Sequence, residues 1–216
     1  MKGEIFHILN RGIEKREIFS SEKDYLRFIH NLFDFNSTQH AIPYPRRCNA
    51  RDSGHAMSTN SANNEKLIDL LCWCLMPNHS HNLAQEVIDR GASVFSKKIF
   101  GGYTKYVNEN YQRSGVLFQG RSKIIPIKKD SHFLRLPFYI MANPVKLIEP
   151  DWKEKGIRNL NKVIIFLENY RWSSLPYLIG KENSFPFVNK SLFYELFQTN
   201  EDKFKKDFIE WLKNYK

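Results

Sequence analysis

The sequence has no long apolar run. Nothing in it approaches the roughly eighteen consecutive apolar residues that a bilayer span requires, and its opening, MKGEIFHILNRG, lacks the apolar stretch of a signal peptide. The expectation is a cytoplasmic protein with no membrane partner. Cysteine is scarce as well. Cys48, Cys72 and Cys74 are odd in number and two of them stand two residues apart, which excludes a disulfide framework and fits a reducing compartment. Internal repeats are absent, and so are several catalytic signatures. There is no G-x-S-x-G elbow to present a hydrolase serine, and no H-x-E with PCxxC for a zinc deaminase. A histidine-triad hydrolase needs a third histidine where Leu83 stands. An aromatic RNP-type motif is also missing, which weighs against an RNA-binding module.

What is present is apolar mass and positive charge. The 216 residues include seventeen Phe and ten Tyr, enough for the core of one large domain or of one domain with a helical extension. The net charge of +10 favours polyanions such as nucleic acid. It is unevenly spread. Between residues 91 and 149, ten basic side chains face only Glu109, Asp130 and Glu149, so this stretch carries +7 of the +10. Basicity alone is also what a solvated face would show.

Periodicity orders the chain. Residues 3–11 alternate as a strand, and Ser20 or Ser21 then caps a helix with Tyr25, Phe28, Ile29, Leu32 and Phe33 at helical spacing. Residues 37–64 are polar and aperiodic, an exposed, flexible insertion. KLIDLLCWCLM (66–76) suits a central strand, Pro77-Asn78 turns the chain, and HSHNLAQ forms the next strand. A second helix runs from Ser93 to Tyr111, weakened by Gly101-Gly102. A fourth strand covers 116–128, and a third helix, capped by Asp130 or Ser131 and interrupted early by Pro137, ends before Pro144. Strand, helix, strand, strand, helix, strand is the split βαβ order. The predicted class is therefore α+β, with a ferredoxin-like antiparallel sheet and a helical C-terminal extension.

One short stretch raises a chemical question. In CLMPNHSHNL, His79 and His81 are at i and i+2 on a strand, so they project to one face with room for one ion between them. Neutral imidazoles suit Mn²⁺ or Zn²⁺, and Mg²⁺ when phosphate oxygens complete the shell. Spacing alone leaves surface or core histidines open. Cys72 and Cys74 on the preceding strand read as core, because structural zinc sites favour CxxC and Trp73 stands between them in an apolar run. In FYIMANP (138–144), Tyr139 and Asn143 are four apart and share a helix face, presenting a phenol and an amide together. Tyrosine can attack phosphorus and hold it covalently. A half-buried core aromatic is the other reading of Tyr139.

Five segments together, HILNRGIEKREIFSSEKDYLRFI, CLMPNHSHNL, GVLFQGRSKIIPIKKD, FYIMANPVK and YRWSSLPYLIG, stand in this order over roughly residues 5–180. They resemble the REP-associated tyrosine transposases, a branch of the single-tyrosine transposases in the HUH nuclease superfamily. The resemblance implies a metal-dependent DNA-nicking and rejoining enzyme acting on single-stranded DNA at hairpins of repeated palindromic elements. It implies that Tyr139 is the nucleophile, leaving a 5′-phosphotyrosine and a free 3′-hydroxyl, and that His79, His81 and Asn143 hold a divalent ion, Mg²⁺ or Mn²⁺. It also implies an HUH-type catalytic domain over 1–150, an extension over 151–216 packed on it, and action as a monomer or homodimer.

The candidates for gripping the DNA backbone are Arg11, Lys15, Arg16, Lys97, Lys98, Arg121, Lys123 and Lys128, with Phe118 and Tyr103 to stack unpaired bases. Two departures stand out: Ser80 replaces the usual bulky apolar residue between the histidines, and HSHNL replaces HxHLL. They keep a rival in view, a catalytically inactive nucleic-acid-binding relative acting as a regulator.

Overall fold

The structure is a computed structural model that describes residues 2–39, 65–181 and 185–215. From residue 40 to 64 the expected insertion, Cys48 included, lies outside the described residues. Its base is inside them: Thr38 N donates to Glu65 O at 3.1 Å, and the Asn36 side chain accepts from Ile68 N and donates to Ile68 O.

The fold is α+β. Strand β1 (Ile5–Arg11) leads through a one-turn 3₁₀ segment (Ile13–Lys15) to helix α1 (Glu22–Asp34), followed by β2 (Ile68–Met76), β3 (His79–Glu86), helix α2 (Gly91–Asn110) and β4 (Lys123–Pro126). The sheet order is β2-β3-β1-β4 and every pairing is antiparallel, the ferredoxin-like arrangement. A tight Pro77-Asn78 connection joins β2 and β3. The α1 start is fixed by a capping box: Ser21 is the N-cap, and the Asp24 carboxylate accepts from the backbone N–H groups of Ser20 and Ser21. Asp24 is fully buried because it also accepts the hydroxyls of Tyr106 and Tyr111 from the far end of α2, which clips the two helices together.

Alternation sorts the sheet into two faces. Ile8, Ser80, Asn82, Ala84 and Glu86 turn toward α2, whose first turn is capped by the Glu86 carboxylate accepting from Ala92 N. His7, Leu9 and Arg11 share the opposite face with His79 and His81, since Leu9 pairs with His81 and Arg11 with His79. On that face lies α3 (Asp130–Ala142), which continues into a 3₁₀ turn (Asn143–Leu147). Cys72 and Cys74 are fully buried in β2, and burial pushes both thiols up, so they are core residues, as expected.

The C-terminal residues form α4 (Trp152–Lys155), α5 (Leu160–Asn169), α6 (Leu175–Leu178), α7 (Lys190–Phe197) and α8 (Glu201–Lys213). Trp172, Ser173 and Ser174 run along the outer edge of β2: Leu75 N donates to Trp172 O and Ser174 N to Trp73 O. An edge that offers unpaired backbone groups is thereby covered. From α8, Phe204, Phe208 and Trp211 pack around Phe138, the neighbour of Tyr139 on α3.

Two expectations need correction. The fourth strand occupies only 123–126, not 116–128. Leu117 O accepts from Ile13 N and Gln119 N donates to Arg11 O, so these residues pair with the turn leaving β1, and Arg121 lies off the strand. Helix α3 is not interrupted at Pro137; it runs to Ala142. The missing N–H costs one hydrogen bond, and the burial of Leu136 and Ile140 with the ring contacts of Phe138 keeps the two halves in line.

Candidate active site

The structure brings His79, His81 and Tyr139 together within one chain. The His79 and His81 ring centroids are 5.0 Å apart, and the Tyr139 ring meets His81 edge-on at 6.2 Å. Asn143 follows one turn later, only 7% exposed.

Each imidazole is oriented by a hydrogen bond at Nδ1. The Asn78 amide donates to Lys15 O at 3.0 Å, which turns its oxygen toward His79 Nδ1 at 2.5 Å. His79 therefore carries its proton on Nδ1 and keeps the Nε2 lone pair free. His81 Nδ1 lies 2.9 Å from Nε2 of His7, with the two rings stacked at 5.0 Å. With His7 accepting, His81 likewise keeps Nε2 for a ligand. Asn143 uses its NH₂ on its own helix, donating to Tyr139 O and Ile140 O, and its Oδ1 is left as the acceptor.

Burial sets the protonation. It lowers His79 from 6.5 to about 4, with the charges of Arg11, Lys146 and Lys153 adding to the effect. His81 is held well below its ordinary value by burial and by His7, His79, Arg11 and Lys153. His7 is lowered to about 4, first by burial and then by His132. At neutral pH these imidazoles are uncharged, the form that binds a metal ion.

Among the described residues, no three His, Cys, Asp or Glu side chains converge as a ready-made metal site. Two neutral imidazoles with their Nδ1 atoms engaged do suit a divalent ion that takes its remaining ligands from a side-chain oxygen, water or phosphate.

The other candidates divide. Arg11 faces His79 across the β1–β3 pair, and exposed Lys123 pairs with Leu9 on the same face of the sheet. Exposed Lys15 and Arg16 follow β1, Arg16 pairing with Glu14 at 3.5 Å, and exposed Arg121 and Lys128 flank β4. Lys97 and Lys98 sit on α2, across the sheet from the phenol, and Lys98 donates to the carbonyls of Ser37 and Gln39. Phe118 and Tyr103 are not base-stacking surfaces. Tyr103 is fully buried with its hydroxyl on Ile18 O, and Phe118 is 7% exposed against Phe100. Ser80 is fully buried on the α2 face and its hydroxyl has no hydrogen-bond partner within the described residues.

Sequence reasoning missed His7, Asn78 as the His79 anchor, Lys146 and Lys153. The split βαβ order sets β1 beside β3, which made any β1 histidine a candidate. Lys153, whose Nζ donates to the Tyr139 hydroxyl at 3.1 Å, carried no local signal.

These features define the class: a ferredoxin-like antiparallel sheet whose β1 and β3 present imidazoles to a phenol on a crossing helix. Neither a protein family nor a curated protein matches the sequence. The chain has the fold of a solved REP-associated tyrosine transposase bound to a REP hairpin. The TM-score is 0.51 at 15% identity, over 87% of this chain and 85% of that one.

Proposed function

We propose that the protein is a REP-associated tyrosine transposase of the HUH type, acting in the cytoplasm as a metal-dependent enzyme that nicks and rejoins single-stranded DNA beside hairpins of repeated palindromic elements. The observation that carries this reading is the meeting, within one chain, of the Tyr139 phenol with a His79–His81 pair whose Nδ1 atoms are both engaged. The neighbouring fold, solved with a REP hairpin, supports the substrate class. Residues 1–150 form the catalytic domain, and residues 151–216 form the extension that steadies the tyrosine helix.

In this reading Tyr139 Oη attacks a phosphodiester in line and becomes a 5′-phosphotyrosine, and the preceding nucleotide leaves with a 3′-hydroxyl. His79 Nε2, His81 Nε2 and Asn143 Oδ1 would hold Mg²⁺ or Mn²⁺, which would polarise the scissile phosphate and offset charge developing on it. Arg11, Lys146 and Lys153, the cations that His79 feels, make the site electropositive and draw the phosphate in. Arg11, Lys15, Arg16, Arg121, Lys123 and Lys128 grip the flanking backbone, with Lys97 and Lys98 meeting DNA only where it wraps onto the α2 face. The phosphotyrosine conserves the ester bond, so a 3′-hydroxyl can displace it without ATP. The meeting of Tyr139 with the histidine pair within one chain is compatible with action as a monomer or as a homodimer.

The test is a denaturing gel of a labelled hairpin oligonucleotide incubated with the protein and Mn²⁺. A slow-migrating adduct is expected from the wild type and none from Tyr139→Phe or His79→Ala. A regulator that only binds DNA gives no adduct from any of them.

A further inference from the structure

The Tyr139 hydroxyl is held by a residue outside the family-like motifs. Trp152, 1% exposed, packs on Tyr215 and Trp211 with centroid separations of 4.4 and 6.5 Å, and so anchors the short helix α4. The next residue, Lys153, reaches back over the site. Its Nζ donates to Tyr139 Oη at 3.1 Å and stands 4.4 Å from the centre of the same ring. A phenol placed to attack phosphorus thus has a cation on the very atom that reacts.

We propose that Lys153 is a catalytic residue, its ammonium stabilising negative charge on the Tyr139 oxygen when that oxygen attacks phosphorus and again when it leaves. The inference rests on the phosphotyrosine chemistry proposed above. In cleavage the Oη–P bond forms as the P–O3′ bond breaks; the phenol proton passes to water and the departing 3′ oxygen takes one from water. In rejoining, a 3′-hydroxyl oxygen attacks the same phosphorus and gives its proton to water. The Oη–P bond then breaks with its electron pair left on Oη, where Lys153 meets it until water returns the proton. A charge-assisted hydrogen bond aimed at the atom where charge develops does more for the transition state than for the neutral phenol.

The experiment needs no DNA, so its result stands apart from that of the adduct gel. Metal-free protein is treated with an arylsulfonyl fluoride, and modification of Tyr139 is followed by peptide mass spectrometry, with exposed Tyr111 as the internal reference. Lys153→Met is expected to slow Tyr139 modification by roughly ten- to a hundredfold, the range for a hydrogen bond to a charged group, and to leave Tyr111 unchanged. Lys153→Arg should recover most of the rate. Placing 3,5-difluorotyrosine at position 139, where the ring itself disperses the charge, should shrink the Lys153→Met deficit. A rate within twofold of wild type in Lys153→Met overturns the proposal. So does a loss that neither the arginine nor the difluorotyrosine relieves, because that pattern belongs to a side chain that only supports the fold.

Discussion

Acidification strains this fold at its own candidate active site. His7 and His79 each fall from 6.5 to about 4 on folding, chiefly through burial. Between those two pH values the unfolded chain binds protons that the folded chain refuses, so stability rises with pH across this window and is lost as pH falls through it. At 1.36 kcal/mol per pH unit, a drop of 6.5 − 4 is worth about 3 kcal/mol per histidine at full extent. About 2 kcal/mol of this is lost between pH 7 and pH 5. The two sites together therefore remove about 4 kcal/mol, a large part of the 5–15 kcal/mol typical of a folded domain. With a urea slope of about 2 kcal/mol per molar, the unfolding midpoint should drop by roughly 1–2 M over that range. His7→Gln removes one titrating group of the three, His81 being held low as well, and should shrink the drop by about 1 M. A midpoint that stays level from pH 7 to pH 5, or a His7→Gln profile with the wild-type slope, refutes the reasoning.

Two further substitutions read the structure's polar accounting. Asp24→Ala strips the α1 cap and leaves the Ser20 and Ser21 N–H groups and the Tyr106 hydroxyl without their acceptor. The expected loss is about 3 kcal/mol in urea unfolding, and a loss under about 1 kcal/mol would contradict the clip between α1 and α2. Ser80→Ala deletes a fully buried hydroxyl that has no partner within the described residues. It should leave stability unchanged or raise it by about 1 kcal/mol, and a clear destabilisation would mean that the hydroxyl is satisfied after all.

Much of the architecture was legible because its signals are local. The alternation of β1, the Ser21 cap and the apolar run of β2 each announce themselves within about ten residues, and the split βαβ order follows from their sequence. The pairing of Tyr139 with Asn143 was legible for the same reason, one helical turn being a fixed spacing. The shortened β4 was not. Whether 116–122 pairs as strand or as loop depends on where β1 turns at Gly12, a register that no window of residues contains. Pro137 misled because packing from α8, far along the chain, outweighs one lost hydrogen bond. His7 and Lys153 meet the site only through strand order and through α4 folding back, so their spacing from His81 and Tyr139 carries no periodic signal. Phe118 and Tyr103 were misjudged because an aromatic beside basic residues looks the same in sequence whether it faces DNA or the core.

The most direct test of the central claim is to locate the covalent bond. The protein is incubated with Mn²⁺ and a hairpin oligonucleotide, digested with protease and nuclease, and the peptide containing residue 139 is sequenced by mass spectrometry. The account predicts a nucleotide 5′-phosphate on Tyr139, absent from His79→Ala and His81→Ala protein. A nucleotide on any other residue, or none on a protein that binds the hairpin tightly with Mn²⁺ present, contradicts it.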